Sequence, residues 1–230
     1  MTTPQTARAA SRLAEADSVV VLGLGRFGSA LANELMRVGV EVLGVDKDPA
    51  IVQAHASELT SVVQADTTSE TALRQLGVPE FDRAVVGIGN DIEASLLTAA
   101  LLVQFNVGQV WAKAITDAHG RILEQLGVGH VVFPEVDMGR RVAHLVRGAM
   151  LDYVPFDDDF AMVRTKPPRE GIGVPLQQAQ LRKKYGVTVI AVRTPGSGWT
   201  YATADTVLGE ADEVIVTGPT RKAERFALLD

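Results

Sequence analysis

The chain has 230 residues, enough for one large or two small cores, and with 47% hydrophobic and 22% charged residues it reads as globular rather than disordered. Its 22 Lys and Arg against 28 Asp and Glu leave a net charge of −6, which offers no electrostatic footprint for phosphate-rich polymers, so no nucleic-acid partner is expected. Cysteine is absent, which removes disulfides, thiol nucleophiles and thiolate metal sites and fits a cytoplasmic location.

Residues 1–17 form an Ala-rich arm with two arginines and two acids and without the apolar stretch of a secretory signal, so a frayed arm or short helix is expected. From Ser18 onward a short apolar run, a turn and a helical period recur about five times, the pattern of a parallel sheet with crossover helices. Six strands are expected, at 18–22, 40–45, 61–65, 83–86, 109–112 and 130–133, each buried on both faces. Between the first two, Phe27, Leu31, Leu35 and Val38 recur at helical spacing and Gly39 closes the helix. Two later helices end alike, as Gln75-Leu76-Gly77-Val78 and Gln125-Leu126-Gly127-Val128.

Residues 94–112 carry no charge and approach the length of a membrane span, but Ser95, Thr98, Gln104, Asn106 and Gln109 interrupt them. The helix at 91–105 within this stretch has two apolar stripes, one of Ile92, Leu96, Ala99 and Val103, the other of Leu97, Ala100 and Leu101. One sheet cannot cover both, so the helix is either enclosed within its own domain or meets another subunit. After Pro134, Met138, Val142, Leu145, Val146 and Ala149 alternate with Arg140, Arg141, His144 and Arg147, which predicts an amphipathic helix leaving the sheet domain. Residues 152–160 read as an acidic, aromatic linker. Beyond it a small α+β module is expected, with strands at 160–165, 187–193 and 213–217 and one helix at 176–184 between Pro175 and Gly186.

The run Val19-Val20-Val21-Leu22-Gly23-Leu24-Gly25-Arg26-Phe27-Gly28 is a strand entering a Gly-x-Gly-x-x-Gly turn that opens a helix. Gly23 permits the turn, Gly25 lets the backbone approach a phosphate, and Gly28 lets helix and strand pack closely. Asp46, eighteen residues beyond Gly28 at the next strand end, is placed to accept from ribose hydroxyls and to repel a 2′-phosphate, which makes this a Rossmann-type nucleotide site. Lys47 follows it and is expected to face water. Arg26 can fork onto a terminal phosphate beyond a diphosphate. Asp66 and Thr67, then Ile88, Gly89 and Asn90, then Lys113 stand at the ends of later strands, where ligands of such sheets bind; Lys113 reads equally as a phosphate contact or a snorkelling lysine.

Recognisable reaction chemistry is missing. His55, His119, His130 and His144 all fall in the Rossmann region or its exit helix, without an acid at dyad or metal spacing. No Tyr-x-x-x-Lys follows Tyr153, Tyr185 or Tyr201, and neither a Gly-x-Ser-x-Gly elbow nor a Walker loop occurs. A binding module is favoured over an enzyme, with a small NAD-dependent oxidoreductase as the alternative.

The residues resemble RCK-domain proteins, in particular the cytosolic subunits of Ktr/Trk potassium-uptake systems. The likeness is carried by the glycine loop, by Val42-Leu43-Gly44-Val45-Asp46, by Ile88-Gly89-Asn90-Asp91-Ile92-Glu93-Ala94-Ser95, by Trp111-Ala112-Lys113-Ala114, by Pro134-Glu135-Val136-Asp137-Met138-Gly139 and by the stretch from Leu181 to Ala191. It implies an α/β protein in which a Rossmann-like parallel-sheet domain (18–134) is followed by an amphipathic crossover helix and linker (135–152) and a small α+β C-terminal RCK subdomain (153–230). It further implies a regulatory subunit that switches with ATP and ADP, or with NADH and NAD. Such subunits form homodimers in an octameric ring beneath an integral-membrane potassium-translocating partner, on the cytoplasmic face. By the same likeness Arg26 touches the terminal phosphate, Asp46 the ribose and Lys113 a phosphate near the dimer contact. Glu135 would belong to an intersubunit site for a divalent or sodium cation, the exit helix would cross to the partner subunit, and cyclic di-AMP binds between C-terminal subdomains of some relatives, near the region of Arg182. A module serving a potassium-efflux system is a further alternative.

Overall fold

The computed structural model describes residues 17–147 and 150–229, which fall into two compact units that divide between Glu135 and Val136. Residues 1–16 of the expected 1–17 arm, and Ala149, the last apolar residue expected on the exit helix, lie outside the described residues.

In the first unit, strands β1 (Ser18–Leu22), β2 (Glu41–Asp46), β3 (Ser61–Gln64), β4 (Arg83–Val86), β5 (Gln109–Lys113) and β6 (His130–Val132) form one parallel sheet in the order β3-β2-β1-β4-β5-β6. The order reverses between β1 and β4, which opens a crevice at their carboxyl ends. The crossovers are helices α1 (Arg26–Arg37), α2 (Pro49–His55), α3 (Glu70–Gln75), α4 (Ile92–Gln104) and α5 (Asp117–Gln125), with a single 3₁₀ turn at Val78–Glu80. Side chains start most of them: Asp48, Ser69, Asp91 and Thr116 each accept a backbone N–H of the first turn of α2, α3, α4 and α5. Gly77 and Gly127 follow α3 and α5 in the left-handed region, the conformation that turns the chain back toward the next strand.

Two apolar layers sandwich the sheet. Val20, Leu22, Leu43, Val45, Ala84, Val86, Val110 and Ala112 face Leu73, Ala99, Leu102 and Leu123 of α3, α4 and α5. On the other face Val19, Val21, Val42 and Val85 meet Ala32 and Leu31 of α1 and Ile51 of α2. β1 and most of β2 are buried on both faces as expected, but β3, β5 and β6 are not. Trp111 on β5 is 38% exposed and stacks on His130 of β6 at 4.0 Å, on the same sheet face as Val85, because α1 and α2 extend only over the β1 and β2 side.

Helix α4 corrects a second expectation. Its most buried side is Ser95, Thr98, Ala99 and Leu102, which shares only Ala99 with the first apolar stripe and nothing with the second, while Leu97 stays 48% exposed and Ile92 40%. Small residues face the sheet because they let the helix sit close to it, so the unit does not enclose the helix. Val38 ends α1 as its C-cap and is exposed rather than part of the packed stripe.

Helix α6 (Pro134–Val146) starts in the first unit and carries the chain into the second. There β7 (Met150–Pro155), β8 (Phe160–Thr165), β9 (Thr188–Arg193), β10 (Trp199–Tyr201) and β11 (Glu213–Pro219) form an antiparallel sheet in the order β10-β9-β11-β8-β7. The supposed linker at 152–160 is thus part of a β7–β8 hairpin: Met150 and Tyr153 pack into the core, and Asp157 turns the chain by accepting the N–H groups of Asp159 and Phe160. The expected helix at 176–184 is two short helices, α7 (Leu176–Ala179) and α8 (Leu181–Tyr185), broken at Gln180 with φ of 50°. Helix α9 (Thr220–Ala227), which the sequence reading did not anticipate, buries Ala223, Phe226 and Ala227. No helix among the described residues is long and apolar enough to cross a membrane.

Candidate functional site

A cleft of about 840 Å³ lies at the carboxyl ends of the strands. Every residue expected at the nucleotide site except Gly28 lines it: Gly23, Gly25, Arg26 and Phe27 after β1, Asp46 and Lys47 at β2, Asp66 and Thr67 after β3, Ile88, Gly89 and Asn90 after β4, and Lys113 at the end of β5, with Glu135 on α6. Residues up to 112 positions apart in the chain (23 to 135) are thereby gathered by one row of parallel strand ends.

Gly23 has φ of 94°, and its N–H donates to the Val45 carbonyl at 2.8 Å, so the loop is pinned to β2. Gly28 acts from behind the cleft, since a Cβ there would stand 1.9 Å from the Gly23 carbonyl oxygen. Gly87, which the sequence reading passed over, completes the packing: its Cβ would fall 2.5 Å from the same oxygen. Its signal was a glycine at the end of the strand that adjoins β1. Helix α1 has no side-chain cap, and among the described residues the N–H groups of Arg26 and Phe27 have no backbone partner. A Cβ on Gly25 would meet no protein atom within 4 Å. An open loop with unpaired amides at a positive helix end is the arrangement that receives a phosphate.

Asp46 is only 9% exposed, and both carboxylate oxygens are engaged, Oδ2 by the Leu24 N–H at 2.7 Å and Oδ1 by the Asp48 N–H at 2.9 Å. Each oxygen retains acceptor capacity, so the acid is oriented by the main chain and can still take hydroxyls. Lys47 is exposed, as expected, with its ammonium 3.6 Å from Asp91 Oδ2. Asp66 accepts the N–H and hydroxyl of Thr68, which hold its carboxyl below the usual aspartate value. Thr67 is buried and accepts a hydrogen bond from the Thr98 hydroxyl at 2.9 Å, tying the β3 end to α4.

Besides Lys47, the cations of the cleft are Arg26 and Lys113. Arg26 is exposed and makes no ion pair among the described residues. Lys113 is buried to 8% exposure; its stem lies against Gly89 and its ammonium sits 5.9 Å from the Phe27 ring. Its Nζ donates to Glu135 Oε1 at 2.5 Å, and this bond, with a smaller contribution from the Arg26 charge, holds the Glu135 carboxyl below its ordinary value. Within one chain the partner of Glu135 is therefore a lysine, and no group of three or more metal-ligating side chains occurs among the described residues. Asp48, Ile51, Asp91, Glu93, Ala94, Leu97 and Ile115 also line the cleft, though none was expected at the nucleotide site. They are supplied by α2, α4 and the chain after β5, whose approach depends on how the helices pack.

His55 contacts Ser29 Oγ through Nε2 at 2.9 Å and Glu58 through Nδ1 at 2.8 Å, the order of a Ser-His-acid relay. The Ser29 hydroxyl, however, donates to the Leu24 carbonyl at 2.5 Å, and none of the three residues lines the cleft. The trio braces α1 and α2 against the glycine loop.

Residues 19–134 match the model of the TrkA-N domain. The chain is 34% identical over 207 residues to the Ktr system potassium uptake protein C of Bacillus subtilis, covering 90% of this chain and 94% of that protein. It is 32% identical over 203 residues to the Ktr system potassium uptake protein A of Vibrio alginolyticus, covering 88% and 92%. Among solved structures, the GsuK channel superposes with a TM-score of 0.65 at 16% identity over 93% of this chain, and its NAD-bound form with 0.63 at 15% over 91%; the chain spans 39% of each of those channel chains, and the likeness is one of fold. The matched domain and the near-full-length relatives agree, and the chain belongs to the TrkA-N domain family, together with the Ktr system potassium uptake proteins.

Proposed function

We propose that this chain is a nucleotide-binding regulatory subunit of a potassium-uptake system and that it binds an adenine nucleotide in the cleft, ATP and ADP in preference to NAD. The observation that carries this reading is the conjunction, in one cleft, of an uncapped helix start behind Gly25, the free Arg26 guanidinium and the oriented Asp46 carboxylate. Amides receive a diphosphate, the carboxylate receives the ribose, and the guanidinium reaches a further phosphate. The names of its relatives supply the physiological setting, potassium uptake. The chain acts without catalysing a reaction, on the cytoplasmic side of an integral-membrane partner that conducts the ion. The half-exposed apolar side of α4 supports self-association, as a dimer within a ring.

Calorimetric titration of the full chain with ATP, ADP, AMP, NAD and NADH tests the reading. Arg26→Ala is expected to weaken ATP about tenfold, the worth of one charge-assisted contact, while changing ADP much less. Equal loss for the two nucleotides rejects the assigned role of Arg26. NADH as the tightest ligand would instead favour a redox-sensing variant of the same cleft.

A further inference from the structure

Glu58, His55, Ser29, Leu24 and Asp46 form one hydrogen-bonded chain that runs into the glycine loop. The Leu24 peptide lies between Gly23 and Gly25; its N–H donates to Asp46 Oδ2 at 2.7 Å and its carbonyl accepts the Ser29 hydroxyl at 2.5 Å. The Ser29 N–H donates to the Gly25 carbonyl at 2.8 Å, so one serine ties down the carbonyls of Leu24 and Gly25. A hydroxyl has a single proton, and with it given to Leu24 the Ser29 oxygen can only accept from His55 Nε2, at 2.9 Å. A carboxylate also only accepts, and Glu58 Oε2 stands 2.8 Å from His55 Nδ1. Both ring nitrogens therefore donate, which requires the imidazolium. The His55 side chain is 15% exposed, and among the described residues Glu58 is the acid in ion-pair contact with it. The other charges on the surrounding elements are engaged elsewhere. On α1, Arg26 lines the cleft and Glu34 pairs with Arg37, while Asn33 approaches Glu58 at 3.5 Å; at the end of β2, Asp46 is held by main-chain N–H groups, and Asp48 caps α2.

We propose that His55 is a positioning residue of the nucleotide loop and that it works in its protonated form, acting through Ser29 and Leu24 from outside the cleft. A neutral ring has one N–H and cannot serve both neighbours. A proton kept on Nε2 sets the Nδ1 lone pair against the Glu58 carboxylate, which is the costlier choice. A proton kept on Nδ1 satisfies Glu58 but makes Nε2 an acceptor, which draws the Ser29 proton off the Leu24 carbonyl. The peptide that orients Asp46 then loses its anchor to α1. An imidazole changes charge between about pH 5 and 8, so affinity for a nucleotide falls as the pH rises through that range. The effect on affinity rests on the nucleotide reading above; the protonation rests on the hydrogen bonds alone.

Calorimetry of the full chain with ATP at about pH 6 and about pH 8 tests this with His55→Gln and Glu58→Gln. Each variant is compared with wild type at the same pH, so that titration of the ligand's own phosphate cancels. His55→Gln, which cannot donate to both neighbours at either pH, is expected to bind about fivefold more weakly than wild type at the lower pH and equally at the higher. Glu58→Gln is expected to bind about fivefold more tightly than wild type at the higher pH and equally at the lower, because its amide donates to Nδ1 and leaves a neutral ring its Nε2–H for Ser29. A purely structural brace gives losses for both variants at both pH values. A His55→Gln loss of the same size at the two pH values overturns the proposal, as does Glu58→Gln binding no tighter than wild type at the higher pH. A second readout needs no nucleotide. In NMR titrations of the ligand-free chain, the His55 ring nitrogens and the Leu24 and Gly25 amides are expected to shift together with pH in wild type, and the two amides to stop following the ring in Glu58→Gln. Loop amides that ignore the ring in wild type overturn the proposal. If the wild-type chain binds no nucleotide, the nucleotide reading fails by itself and this titration decides alone. Far-UV circular dichroism identifies a variant that fails to fold, in which case the wild-type titration decides in its place.

Discussion

At the scale of single residues, the site depends on positions where the backbone leaves no room for a side chain. Gly28 is the sharpest, with a Cβ position 1.9 Å from a carbonyl oxygen that cannot retreat, because the same residue, Gly23, is hydrogen-bonded to Val45. Gly28→Ala is expected to cost about 3 kcal/mol of folding stability by overpacking, read by urea unfolding, and to abolish nucleotide binding. An unchanged midpoint would show that α1 can shift away from β1. The three glycines of the loop were legible in the sequence because each answers a local backbone need. Gly87 was missed because its need arises from Gly23 and Gly28, some sixty residues earlier in the chain.

At the scale of elements, α4 separates two kinds of apolar residue that composition alone treats alike. Leu102 is fully buried against the sheet, whereas Leu97 is 48% exposed at the rim of the cleft. Leu102→Ala is expected to destabilise the fold by about 2–5 kcal/mol through the cavity it leaves. Leu97→Lys is expected to leave the unfolding midpoint nearly unchanged and to lower the self-associated mass seen by light scattering. Equal destabilisation by both would mean that the helix is enclosed after all. The helix itself was readable from its period and its Asp91 cap, but its rotation was not. Ser95, Thr98 and Ala99 face inward beside Leu102, because close approach to the strands over most of the helix favours small side chains. Similarly, residues 152–160 looked like a linker because acids dominate them, yet the alternation of Tyr153, Ala161 and Val163 into the core makes them a hairpin.

At the scale of the whole molecule, pH should act through His119. It is 2% exposed, its Nδ1 faces the Ile115 N–H at 3.4 Å, and its Nε2 is buried without a partner among the described residues. Burial lowers its pKa below the ordinary 6.5, so the folded protein keeps the ring neutral while the unfolded chain takes up a proton below that value. Its contribution to stability is therefore complete above pH 6.5 and is lost progressively as the pH falls from there toward the folded-state pKa. Urea unfolding at about pH 7.5 and about pH 5.5 checks this, with His119→Asn, which retains an acceptor for Ile115, expected to flatten the difference. A wild-type midpoint that does not move would remove His119 from the account.

The chain by itself determined the parallel sheet, the glycine loop and the positions of Arg26 and Asp46, because strand burial, helix period and turn chemistry act over a few neighbouring residues. Tertiary structure alone decided that Lys113 is held by Glu135, that α4 turns its small residues inward and that Trp111 lies on a face the first two helices do not cover. Each of these depends on which distant segments arrive at the same place, and an ion pair between residues 22 positions apart forms only when a strand end and the next helix start are brought side by side by the sheet.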